Sequence, residues 1–259
     1  MNGSASSGLP RPGPAVIFLL LLVGAMSIAQ AILVNFAHTQ APFLVLAGDA
    51  DKILHGEVWR LLTASVLTNP GSLSDVLFTL MGIYFLSTEV ERRWGARRYL
   101  TFVAGAVVFG NLVTTLLHLL PISSSLFHPE IFFGSYAAVA AISVAFSLEM
   151  PDIVIRLFFF VPVRGAWLKW VTLVMAVVAV LYGAAGTEGP FAPLAGWGVG
   201  MLFGGTPSVV RRAYLNWKLG RLQKTTSSAR GKRPAGAPAL RVVKGGLPDE
   251  SGPNKRMLN

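Results

Sequence analysis

Ile131-Phe132-Phe133-Gly134-Ser135-Tyr136-Ala137-Ala138-Val139-Ala140-Ala141-Ile142-Ser143-Val144-Ala145-Phe146-Ser147-Leu148-Glu149-Met150 is a stretch of twenty residues without a charge before Glu149. About twenty apolar residues in a helix cross the roughly 30 Å hydrocarbon core of a bilayer. Pro151-Asp152 then stops the helix. Within the stretch Gly134, Ala138, Ala141 and Ala145 fall on one helical face. Lipid tails are as apolar as leucine, so helices in a membrane associate where small residues let backbones approach. The segment reads as a central membrane helix that presents a small-residue face to a partner.

The partner is found further along the chain. Residues Phe191 to Thr206 form a shorter apolar run with Gly196, Gly200 and Gly204 four apart, and Gly198 and Gly205 beside them. Other apolar runs cover Ala15 to Ala37, Ser72 to Thr88, Tyr99 to Leu120 and Ala166 to Ala185, which makes six spans. The first run continues past Ala29-Gln30-Ala31, too long for a cleaved signal peptide. Residues 38–71 form a loop whose segment around Trp59 suits a short helix in the headgroup region. Glu89 to Arg98 reads as a compact charged turn, and Ile153 to Val163 as an interfacial connection containing Arg156 and Pro162.

Composition agrees with this organisation. Of 259 residues, 53% are hydrophobic and 13% charged, against about 25% charged in a soluble domain. With no cysteine there is no disulfide, thiolate metal site or cysteine nucleophile, and neither metal nor cofactor is expected. The net charge is +10. With both termini on one side, all of the 22 Lys and Arg except Lys52 and Arg60 fall on that side, so the positive-inside rule places both termini in the cytoplasm. Residues 1–14 and most of 207–259 are polar and rich in Gly, Ser and Pro, and are expected to be disordered around a membrane domain at 15–206. The tail opens with a candidate basic amphipathic helix at Arg211 to Arg221. Tethered at a membrane, it is expected to meet anionic lipid rather than nucleic acid. Compact size and the lack of long outer segments point to a bacterial plasma membrane.

Four motifs in order resemble the rhomboid family of intramembrane serine proteases, over about residues 15–206. Gly56-Glu57-Val58-Trp59-Arg60-Leu61-Leu62-Thr63 resembles the family's first loop, with its Trp59-Arg60 pair. Val90-Glu91-Arg92-Arg93-Trp94-Gly95 resembles the turn after its second helix. Phe158-Phe159-Phe160-Val161-Pro162-Val163-Arg164 with Trp167-Leu168 resembles the connection before its fifth, and the glycines of the last run resemble its sixth. The resemblance implies an all-α six-helix bundle. It also implies a nucleophilic serine in Gly-x-Ser-Gly on helix four, a histidine base on helix six, and donors for the oxyanion on helix two.

This sequence departs from the pattern at each of those positions. Aligned on Gly134, Tyr136 stands at the nucleophile position, and Ser135 is one residue early, turned by about 100° on a helix. Pro193 stands at the base position, ahead of Gly196 and Gly200. Asp75 and Thr79 stand where the family's helix-two oxyanion donors would be. A carboxylate there carries the wrong sign for a developing oxyanion. The first reading is therefore a non-proteolytic rhomboid that binds transmembrane segments of client proteins, with Tyr136 filling the former cavity and Asp75 or Thr79 partnering its hydroxyl. Asp75 can also be read as a helix cap or a partner of Arg60. The alternative is an active endopeptidase with Ser135 as a displaced nucleophile and His118 or His128 as its base. A channel or transporter is disfavoured, because no internal repeat is visible and the spans are expected to lack buried ionisable residues apart from Asp75.

Overall fold

The computed structural model describes residues 11–69, 71–120, 131–157, 161–181 and 188–230, with backbone alone for 155–157, 161–162 and 223–230. Helices α1 (Pro14–Asn35), α2 (Ala41–Leu44), α3 (Ala50–Leu54), α4 (Arg60–Thr63), α5 (Leu73–Trp94) and α6 (Ala96–Leu117) are followed by α7 (Tyr136–Glu149), α8 (Gly165–Leu181), α9 (Ala192–Phe203) and α10 (Val209–Arg230). Three of these, α1, α5 and α6, are long and apolar enough to cross a membrane. Helices α7, α8 and α9 are apolar but shorter.

Helix α7 is apolar all round, and its residues Ala137, Ala138 and Ala140 to Ser147 are buried, as expected of a helix enclosed by others. Its most extensive contact is with α9. A Cβ added to Gly196 would overlap the Ala137 carbonyl, one on Gly200 would lie 2.9 Å from the Ala141 carbonyl, and one on Gly204 2.9 Å from Ala145 Cα. The central pair expected from the small-residue patterns is thus present. Gly196, Gly200 and Gly204 ride on Ala137, Ala141 and Ala145, so two alanines of the expected face take part and Ala137 meets Gly196 in place of Ala138. Helices α5, α6 and α8 also pack on α7, and α1 packs on α5 and α6.

The expected charged turn after the second run is mostly helix. Helix α5 continues through Glu89 to Trp94, and the break is Gly95 alone, at φ +80°, before α6 begins at Ala96. The helix persists because Glu91 points inward, 4% exposed, and accepts the Ala15 and Val16 N–H groups at 2.9 Å each. These are among the first amides of α1, which have no partner inside their own helix. Gly13 leaves the room, since a Cβ there would collide with the Glu91 carboxylate.

The expected interfacial connection contains two strands, with 158–160 outside the described residues. Strands β1 (Val154–Leu157) and β2 (Val161–Arg164) pair antiparallel, Val154 opposite Arg164. In the loop after α1, Arg60 is buried and bonds the Leu44 and Ala47 carbonyls at 2.6 Å each and Glu57 at 2.5 Å. It does not pair with Asp75. Trp59 beside it is half exposed. Residues 214–259 form a unit separate from 1–213. There α10 is helical, but Tyr214 and Trp217 lie on one face and Leu215, Leu219 and Leu222 on another, so the expected single apolar stripe is absent. Residues 1–10, the loop at 121–130 and the end of the tail, for which disorder or polar loop was expected, lie outside the described residues.

Candidate functional site: the start of helix α7

The start of α7 is fixed from three directions. Phe132, fully buried, pairs with Gly48 through two backbone bonds of 2.8 and 2.9 Å. Gly134 N–H donates to the Ala64 carbonyl at 2.9 Å. Gly134 itself adopts φ +135°, a conformation that glycine reaches and bulkier residues rarely do. Ser135 is the residue before the helix, and its hydroxyl donates to the Ser65 carbonyl at 2.5 Å.

Tyr136 follows, and its hydroxyl donates to Asp75 Oδ1. Asp75 lies in the first turn of α5, where its N–H donates to the Ser72 hydroxyl at 3.3 Å and its Oδ2 accepts the Asn69 N–H at 3.2 Å. Asp75 thus partners the tyrosine, while the cap of α5 is Ser72 rather than Asp75, which sits in the first turn and holds the preceding loop through Asn69. Tyr136 is 37% exposed, so it reaches from α7 to Asp75 on α5 at the surface and does not fill a closed cavity. Thr79, one turn below Asp75, is buried.

The amides of Tyr136 and Ala137 both donate to one side chain that the sequence reading did not single out. Glu188, in the turn before α9, accepts Tyr136 N–H on Oε1 and Ala137 N–H on Oε2, the latter at 2.9 Å. It is 1% exposed. Its own carbonyl accepts from the Thr114 hydroxyl at 3.3 Å, which ties the turn to α6. Gly134 makes the space, since a Cβ there would lie 2.7 Å from Glu188 Cγ. Burial raises the Glu188 carboxyl to about 8, and the charge of Asp75 adds to the rise, against the lowering by the two amides. Glu188 is the only charged residue between Lys169 and Arg211, which is the one signal in the sequence that could have drawn attention to it.

Helix α9 begins at Ala192 with Pro193 in its first turn, where the missing N–H of proline would have no partner inside the helix anyway. Proline at this position therefore suits the helix start and offers no group that takes up a proton. Among the described residues no histidine is hydrogen-bonded to Ser135. His118, at the end of α6, lies 3.6 Å from Asp51, His55 Nδ1 bonds the Asp51 carbonyl at 2.6 Å, and His128 lies outside the described residues. Among the described residues no three His, Asp or Glu side chains converge to hold a metal ion. The chemistry on offer is hydrogen bonding by a phenol and two carboxyl groups at a helix start.

Similarity to other proteins agrees with the membrane fold. Over 106 residues the chain is 33% identical to "Putative rhomboid protease YdcA" of Bacillus subtilis (strain 168), covering 39% of this chain and 49% of that one. It thus spans about half the length of the curated relative it matches. The family described as "Eukaryotic integral membrane protein (DUF1751)" matches residues 15–203. This overturns the expectation of a bacterial plasma membrane, which rested on compactness and short loops, properties of the fold that carry no information about the organism. By this match over most of its length, the chain belongs to that family of eukaryotic integral membrane proteins.

Proposed function

We propose that this protein is a non-proteolytic, rhomboid-like protein of a eukaryotic membrane that holds transmembrane segments of other membrane proteins. In this reading it crosses the bilayer six times with both ends in the cytosol. The observation that carries the non-proteolytic half is the seating of Glu188 on the Tyr136 and Ala137 amides. Acyl transfer needs free, preplaced donors where an oxyanion develops. Here the donors at the nucleophile position are already engaged by a buried side chain of the same chain. Ser135 does not replace the missing nucleophile, since its proton is directed at a peptide carbonyl, and a serine hydroxyl needs a base to become reactive.

The client-binding half rests on the packing around α7. Helices α5 and α8 both pack on α7 but make no extensive contact with each other among the described residues. Leu77 and Phe78 on α5 and Val174 and Met175 on α8 are exposed. A neighbouring helix entering there meets apolar walls, with the Tyr136–Asp75 pair as a polar contact at one end. Polar contacts between helices in lipid contribute about 1 kcal/mol. Photo-crosslinkers placed at Leu77 and Met175 in cell membranes are expected to capture the same discrete membrane proteins, absent when the probe is at Ile28 on α1. An identical adduct pattern from all three positions would remove the client site.

A further inference from the structure

A groove of about 440 Å³ runs between α6 and α9, away from the α7 site. Trp94 and Arg98 stand at one end, with Ser208 near them. Phe102, Phe109, Leu202 and Phe203 form much of its wall. Its floor opens at Gly105, where an added Cβ would meet nothing within 4 Å. From Arg98 to Phe109, eleven residues of helix rise about 16 Å. Half of the hydrocarbon core, the depth of one leaflet, is about 15 Å.

We infer that this groove binds one anionic phospholipid, an acyl chain lying along Gly105 and Phe109 and a headgroup of net negative charge, its phosphate included, against Arg98 and Arg97, where a zwitterionic headgroup brings its own cation. Length and wall chemistry match one leaflet chain, and the charge matches the headgroup. Arg98 stacks over Trp94 at 4.2 Å and gives one N–H to the Gly205 carbonyl at 3.3 Å. A guanidinium has five donors, so most remain for a phosphate, and no carboxylate of the described residues lies in ion-pair range of Arg98. Arg97 beside it is exposed and adds to the attraction. Trp94 is held in place by its Nε1, which donates to Glu149 at 2.9 Å and to the Thr206 hydroxyl at 3.2 Å, so the arginine platform is fixed before lipid arrives. This inference is independent of the α7 site and of any client.

The full chain, stripped of lipid in detergent, is incubated with phosphatidylserine or with phosphatidylcholine of the same acyl chains and read by native mass spectrometry. One retained phosphatidylserine is expected per chain, with phosphatidylcholine held about tenfold more weakly. Arg98→Gln is expected to erase that preference. Gly105→Leu, whose Cβ meets nothing within 4 Å, and independently Leu202→Trp, are expected to lose both lipids while keeping the melting temperature. Equal retention of the two lipids by the wild type would overturn the headgroup assignment. Unchanged retention by folded Gly105→Leu and Leu202→Trp would overturn the groove.

Discussion

Tyr136 and Asp75 were legible in the sequence because a motif alignment compares residues at fixed spacing, and both lie within the compared motifs. Their contact spans α5 and α7, yet it follows once each is placed at the same end of its helix. Glu188 was not legible in that way. It sits in a turn, outside any periodic pattern, and its role exists only when the turn folds onto α7. Arg60 shows the same limit, since a loop arginine's carbonyl partners cannot be read from spacing. The carboxyl of Glu188 gives this scale its prediction. Its folded value, about 8, lies above the ordinary carboxyl value of 4.5. Between those values the folded state binds more protons than the unfolded, so stability falls as pH rises from about 4.5 to about 8 and levels off above. In Glu188→Gln, thermal melting is expected to lose this dependence. The variant is also expected to be destabilised by about 1–3 kcal/mol, because one amide oxygen cannot serve both N–H groups in the geometry of two carboxylate oxygens. An unaltered pH profile in the variant would separate Glu188 from the start of α7.

At the level of elements, each apolar run holds a helix, because burial in lipid or in the bundle requires sustained apolarity, but α7 begins only at Tyr136, since Ile131 to Gly134 are drawn into backbone bonds with Gly48 and Ala64. Two errors have physical causes. Helix α5 outran its apolar stretch because Glu91 is drawn inward by the orphan amides of α1, a tertiary contact that overrides local polarity. The β1–β2 ribbon was missed because a short apolar run has no period long enough to separate strand from connection. The α7–α9 pair was legible, since small residues three and four apart on the first segment and glycines four apart on the second each mark one helical face. Gly196→Leu is expected to push α9 from α7, costing about 1–3 kcal/mol or more, because the added atoms meet the Ala137 backbone, which cannot rotate away. Gly198→Leu, at a position where a Cβ meets nothing within 4 Å, is the matched control and is expected to melt near the wild type. Equal melting of the two variants would contradict the close approach.

For the whole molecule, the excess of Lys and Arg on one set of loops implies cytosolic termini in the six-span reading. In sealed microsomes an epitope at the C-terminus is expected to be digested by external protease, and one inserted in the loop before α7 to be protected. The reverse pattern would invert the topology, and matching accessibility of a loop-insertion series to an odd number of crossings would remove the sixth span. The membrane setting and the bundle were readable from composition and run length. The organism was not, since a bundle of this size is built by the same rules in any membrane.

The central proposal is that the position corresponding to the rhomboid nucleophile is held by side chains of the chain itself and that no acyl transfer occurs there. Fluorophosphonate labelling of the purified, folded protein beside its Ser135→Ala variant tests it most directly. No labelling of the wild type above the level of the variant is expected. Labelling that disappears in Ser135→Ala would show an activated serine at the start of α7, and would contradict it.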